Sequence, residues 1–232
     1  MPRSLHVPAL LKAPLPTGPR VRTIPLGPAR GLDFTIDFDR HLRFFLGLYE
    51  TELRPWLARF ATRGSVAYDV GADIGYQALV IARRTQAPVV AFEPRDDAAA
   101  QIERHYELNR DRIGPVEVVR SAVAGAPGPG TTCLDDFAAR SPLGPPGLVL
   151  VDVDGGEAQV LEGAAWMLRD ARPHVLLETH SLALEDACRE LLRQAGYSPV
   201  VVRNRRWFGD FRPTEHNRWI AAEGRPPTSE PR

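Results

Sequence analysis

The chain has 232 residues, 44% of them hydrophobic and 25% charged, and its 29 basic and 29 acidic side chains cancel to a formal charge of zero. That length and polarity suit one sizeable domain, or one with appendages, around a real core. The absence of a net field argues against recruitment of nucleic acid or of an anionic membrane.

The basic side chains are nearly all arginine, with Lys12 the only lysine, which reads as compositional bias and not as a binding patch. Cys133 and Cys188 stand far apart, with no CxxC and no histidine at ligand spacing. A zinc site or disulfide framework is therefore not expected, and a reducing cytoplasm fits. No apolar run approaches the ~18–20 residues of a membrane span.

Residues 1–22 carry basic residues and short apolar patches interrupted by proline, so they read as a flexible arm and not as a signal peptide. Residues 23–64 read as a hairpin and a helical lead-in. "VRTIPL" and "LDFTIDF" alternate around the turn "GPARG", and residues 41–61 have apolar side chains at helical spacing, interrupted by Gly47 and Pro55.

Residues 65–223 are regular. "SVAYDV", "APVVAFE", "VEVVRSAV", "GLVLVDV" and "PHVLLET" read as five strands, and "SPVVVR" and "NRWIAA" as two more. The expected helices are "GYQALVIARRT", one from Asp96 or Asp97, "EAQVLEGAAWMLRD", and "LEDACRELLRQA" stopped by Gly196. Residues 224–232 read as a disordered tail. Apolar strands alternating with helices predict an α/β fold with a doubly wound, mostly parallel seven-stranded sheet. Ligands of such sheets sit beyond the carboxyl ends of the strands. Residues 69–76, 93–97, 121–124, 152–157 and 178–181 collect there.

In "YDVGADIGYQ", Gly71 and Gly75 allow close backbone approach ahead of a helix N-terminus. The G-x-x-x-G spacing differs from the G-x-G-x-x-G of a dinucleotide site. Asp69, two residues ahead, suits an amine-bearing or cationic ligand. Glu93 ends the second strand about twenty residues later, where an acid accepts from ribose hydroxyls. Together these residues point to an adenosyl ligand without phosphate, against the alternative of a tight turn with no ligand.

"YDVGADIGYQALVIAR", "VVAFEP", "TTCLDDF", "VLVDVDGGEAQVLEGA" and "RPHVLLETH", in that order, resemble the FkbM family of S-adenosylmethionine-dependent methyltransferases. Its members read D-V-G-A-N-I-G-Y, F-E-P, L-D-D, K-I-D-V-E-G-x-E and a late E-x-H. "LGLYETEL" resembles the family's lead-in, so the likeness covers residues 45–181. It implies a class I, Rossmann-like methyltransferase with S-adenosyl-L-methionine as cofactor. Asp69, Gly71 and Gly75 would line the methionine end, with Ala72, Asp73 and Tyr76 in the same loop. Glu93, followed by Pro94, would hold the ribose, and Ser121 and Ala122 would lie near the adenine. Three positions depart: Asp73 replaces Asn, Leu150 stands where Lys is common, and Asp154 replaces Glu.

O-methylation gains from a base near the acceptor hydroxyl. His180 is the first choice by its ordinary pKa, with Asp152 and Glu178 beside it and Asp154 and Glu157 as further candidates. His180 making only a local hydrogen bond, and Glu157 only capping a helix, are the plain alternatives. The expected reaction is O-methylation of a small-molecule acceptor, a sugar or secondary metabolite, with no nucleic-acid or membrane partner. Asp152-Val153-Asp154 also resembles the D-x-D of metal-dependent glycosyltransferases, and strand-end carboxylates suit Mg²⁺ as in catechol-type enzymes; no metal ligand is assigned. A fold that binds cofactor but has lost catalysis is the other alternative. The loop 203–217, with Arg205, Arg206, Trp207, Phe208 and Arg212, would cover the acceptor or form an exposed hairpin. The sequence fixes no oligomeric state.

Overall fold

A computed structural model describes residues 18–203 and 217–224. The arm up to residue 17, the tail from 225 and nearly all of the 203–217 loop, with its arginines and aromatics, lie outside the described residues.

The hairpin pairs β1 (Arg20–Thr23) antiparallel with β2 (Asp33–Ile36), Arg20 opposite Ile36. Phe34 and Ile36 alternate inward and are fully buried, as strand periodicity requires. Helix α1 (Phe38–Phe45) starts at Asp37, whose side chain accepts from the Asp39 N–H, and the chain leaves it through Gly47 at φ +63°. After a 3₁₀ turn at Thr51–Leu53, α2 (Arg54–Phe60) begins with Pro55 in its first turn. Pro55 therefore opens a helix where the sequence suggested an interruption. Its missing N–H costs nothing there.

The main unit then runs β3 (Ala67–Val70), α3 (Tyr76–Thr85), β4 (Val89–Phe92), α4 (Asp96–Asn109), β5 (Val116–Val119), β6 (Ala122–Val123), β7 (Thr131–Thr132), α5 (Leu134–Arg140), β8 (Leu148–Val151), α6 (Glu157–Glu162), β9 (His174–Thr179), α7 (Leu182–Gln194), β10 (Val200–Val201) and β11 (Arg218–Ala222). Seven strands form one sheet in the order β10-β11-β9-β8-β3-β4-β5, parallel except for β11, which is antiparallel to both its neighbours. Every residue of β3, β4, β8 and β9 is buried. One apolar cluster fills each side of the sheet, and that on the α3 side also takes in the hairpin and the lead-in helices.

Two expected elements divide. "VEVVRSAV" leaves the sheet after Val119, and Ala122–Val123 pairs instead with Thr131–Thr132 in a separate two-stranded sheet. "EAQVLEGAAWMLRD" stops at Gly163, followed by a π-turn at Met167–Ala171. A Cβ at Gly163 would lie 2.2 Å from the Ala124 carbonyl oxygen, so that glycine is fixed by packing. Gly196 follows α7 at φ +83°, as expected of a helix stop. The chain order reverses between β3 and β8, which opens a crevice at their carboxyl ends.

Candidate functional site

At that crevice the backbone is tightly packed. The N–H groups of Gly71 and Ala72 both donate to the Phe92 carbonyl, at 2.9 and 3.1 Å. Gly71 has φ +84°, and a Cβ there would lie 1.9 Å from the Asp152 carbonyl oxygen. The loop's first glycine is thus required by the neighbouring strand end before any ligand is considered. Gly75, also left-handed at φ +83°, caps α3 against Ile102.

Asp73 adopts φ +46°. Asn and Asp tolerate this conformation best among residues with side chains, which accounts for Asn in relatives and Asp here. Its carboxylate does not stand alone: Arg95 donates to it at 2.6 Å. The Asp73 N–H donates to Glu93 at 2.9 Å, and Arg95 donates to the other Glu93 oxygen from its backbone at 2.9 Å and its Nε at 3.1 Å. Glu93 is buried and fixed in place, while Pro94 beside it is exposed.

Asp69 is 1% exposed, and apart from the nearby backbone N–H of Ala78, which falls short of full hydrogen-bond geometry, no described residue offers its carboxylate oxygens a donor. Burial pushes its carboxyl up to about 7, against the backbone N–H of Ala78 and helped by the charge of Glu93. A buried acid so poorly partnered is costly. A cation or hydrogen-bond donor in the crevice would relieve it, so the position fits the amine-bearing end of S-adenosylmethionine.

Across the crevice, Asp152 follows β8, Glu178 is the last but one residue of β9, and His180 comes directly after that strand. Ser181 caps α7 by accepting from the Leu184 N–H at 3.1 Å, which anchors the backbone beside His180. His180 Nδ1 hydrogen-bonds Glu157, and its Nε2 lies 3.6 Å from Asp154, 3.7 Å from Asp152 and 3.9 Å from Glu178. The Glu157 hydrogen bond, outweighing burial, raises the His180 pKa, so the ring holds its proton more tightly than a free imidazole. Burial, then the charges of Glu178 and Glu50 and a hydrogen bond with Glu178, raises the Asp152 carboxyl well above the usual range. Asp152, Glu178 and His180 each bring one donor atom within 4.8 Å of the others.

The lead-in adds a residue that sequence reasoning passed over. Glu50, 7% exposed at φ +37°, accepts from Gln77 Nε2 at 2.6 Å and from the Tyr49 hydroxyl. Burial, then the charge of Glu178, pushes it up to about 8. Only the likeness of "LGLYETEL" to the family lead-in hinted at it. Tyr76 sits in an aromatic cluster, 4.8 Å from Phe44 and 5.4 Å from Tyr49, and is 4% exposed. Its ring clamps the lead-in onto the glycine loop. Ser121 and Ala122 lie past the end of β5, one strand beyond Glu93. The Ser121 hydroxyl donates locally, to Ala122 at 3.0 Å or Gly130 at 3.2 Å.

Residues 69–199 match the family model described as the Methyltransferase FkbM domain. The chain belongs to that family. No curated protein sequence matches it. Among solved structures, M. jannaschii TYW2 in complex with AdoMet has a TM-score of 0.56 at 12% identity, covering 91% of this chain and 88% of that one. A SAM-dependent O-methyltransferase from Thermotoga maritima gives 0.55 at 12%, covering 79% and 68%. Precorrin-6y C5,15-methyltransferase from Geobacter metallireducens gives 0.53 at 15%, covering 75% and 90%. At such identities these likenesses show the fold. This FkbM methyltransferase is a class I, S-adenosylmethionine-dependent enzyme by family, and among its described residues no helix is long and apolar enough to cross a membrane.

Proposed function

We propose that this FkbM methyltransferase methylates a hydroxyl oxygen of a small molecule, a sugar or secondary metabolite, in the cytoplasm. Bound S-adenosylmethionine supplies an electrophilic methyl group on a sulfonium. The chain's part is to align the acceptor, exclude water and take the acceptor's proton. Asp69 would hold the amine-bearing end of the cofactor and Glu93 its ribose, with Gly71, Ala72, Asp73 and Gly75 shaping the loop and Ser121 and Ala122 near the adenine.

The observation that carries the reading is the meeting of Asp152, Glu178 and His180 at the strand ends, their donor atoms within 4.8 Å of one another. Burial, then the charge of Glu178, gives the Asp152 carboxyl a raised proton affinity, which suits it to take the proton that an acceptor hydroxyl loses. His180, already held as a donor by Glu157, serves better as the positive charge that keeps the pair oriented than as the base itself. Neither Asp73, paired with Arg95, nor Asp154, with a side chain 99% exposed, disarms this arrangement. That supports an active enzyme over a lapsed one. The zero net charge supports a small acceptor over a nucleic acid, and the two buried free cysteines suit a reducing compartment.

An acceptor panel read by mass spectrometry tests this. We expect a methyl ether product, and Asp152→Asn slowing turnover about 100-fold or more with S-adenosylhomocysteine affinity little changed. A product methylated on nitrogen or carbon, or an Asp152→Asn enzyme of full activity, would contradict it. A second reading, Mg²⁺ held by Asp152, Glu178 and His180, rests on the 4.8 Å clustering of their donor atoms. Turnover that survives exhaustive chelation removes it.

A further inference from the structure

Toward the far end of α3 from the glycine loop, a cavity of about 510 Å³ opens between the hairpin turn, α2 and α3. Pro28, Leu57 and Val80 form apolar wall, and Arg54, Arg83 and Arg84 supply three guanidinium groups. Each arginine spends only part of its donor set on the fold. Arg54 donates to the Gly47 carbonyl, Arg83 to that of Arg30, and Arg84 to those of Ala58 and Ala61.

The charges themselves are unbalanced. Arg59, Arg95, Arg112, Arg120 and Arg218 each pair with an acid, yet among the described residues no carboxylate reaches Arg54, Arg83 or Arg84 within ion-pair distance. The Nε of Arg54 is also buried without a hydrogen-bond partner. In a chain with zero net charge, three uncompensated cations around one cavity of ligand size are a local excess. Guanidinium groups match oxyanions in geometry as well as charge.

We propose that this cavity binds a small phosphate-bearing molecule, its phosphate among the three guanidinium groups and its apolar part against Leu57 and Val80. The site is separate from the strand-end crevice and does not rest on the methyltransferase reading.

Titration calorimetry of the full chain with inorganic pyrophosphate at constant ionic strength tests it. Saturable binding is expected, weakened about ten-fold in Arg83→Ala and again in the Arg83→Ala/Arg84→Ala double variant. Both side chains are exposed on α3, so the variants should fold, and circular dichroism checks that they do. Arg54→Gln, which keeps a donor but loses the charge, should weaken binding comparably. Three results would overturn the proposal: no saturable binding up to about 10 mM pyrophosphate, binding unchanged in the folded double variant, or sulfate binding as tightly as pyrophosphate. A single-stranded oligonucleotide that binds more tightly than pyrophosphate and is lost in the same variants would overturn the small-molecule assignment in favour of a nucleic-acid backbone.

Discussion

Asp69 and Leu150 stand side by side across the β3–β8 ladder, a buried carboxyl group against a buried aliphatic side chain. Where relatives commonly carry lysine, this chain offers no cation, and the Asp69 carboxyl rises to about 7. Cofactor binding should favour its ionised form and release a proton. Affinity for S-adenosylhomocysteine should therefore increase as pH rises from about 6 to about 8. Leu150→Lys should hold the carboxylate ionised throughout and flatten that slope. Calorimetry in buffers of differing ionisation enthalpy reads the proton directly, and a flat wild-type profile would count against the cofactor role of Asp69.

Gly71→Ala should be among the most damaging single substitutions. It adds a Cβ 1.9 Å from the Asp152 carbonyl oxygen in a left-handed conformation. Backbone strain and overpacking each cost about 1–3 kcal/mol. Denaturant unfolding should show the loss, and a variant as stable as wild type would mean that the two strand ends are not packed this way.

The histidines should titrate on opposite sides of the ordinary value. His180 is raised by Glu157, whereas His105, fully buried, is lowered by desolvation. His105 accepts from the Thr35 N–H at 3.0 Å and donates to the Ile74 carbonyl at 2.8 Å, tying the hairpin to the cofactor loop through a neutral ring. The unfolded chain takes up that proton below about pH 6.5. The stability from His105 is thus complete above that pH and is lost as pH falls toward the lowered folded value. NMR titration and unfolding between about pH 7 and pH 5 test both halves, with His105→Gln expected to reduce the acid sensitivity.

Glu50 works in the other direction. Its folded carboxyl, raised to about 8, binds a proton more tightly than in the unfolded chain, where the value is about 4.3. Stability from this group therefore falls as pH rises across that window. Glu50→Gln keeps an oxygen to accept from Gln77 but carries no charge toward Glu178, so it should gain in melting temperature over wild type at about pH 8–9 and little at about pH 5. An equal gain at both would mean that Glu50 is not protonated in the fold.

Much of this was legible in the sequence because it is local. Continuous Val, Leu and Ile runs marked the central strands, and the positions of Asp69, Gly71 and Glu93 at strand ends follow from those runs. What escaped depends on long-range packing. Val119 and Ala122 belong to different sheets because the segment at 131–132 captures the second of them, and Gly163 breaks a helix because Ala124 lies against it. Glu50 looked like an ordinary acid in an amphipathic stretch until the lead-in folded over the strand ends. For His180 the sequence leaves base and local hydrogen bond both open, since nothing in "LLETH" shows that Glu157, twenty-three residues earlier, already holds its Nδ1.

The most direct test of the central claim is calorimetric titration of S-adenosylhomocysteine into wild type and Asp69→Ala near pH 7.5. Saturable binding by wild type, weakened about ten-fold or more in a variant that folds normally, is the expected result. No binding by folded wild type at about 1 mM ligand, or equal affinity in the variant, would contradict it.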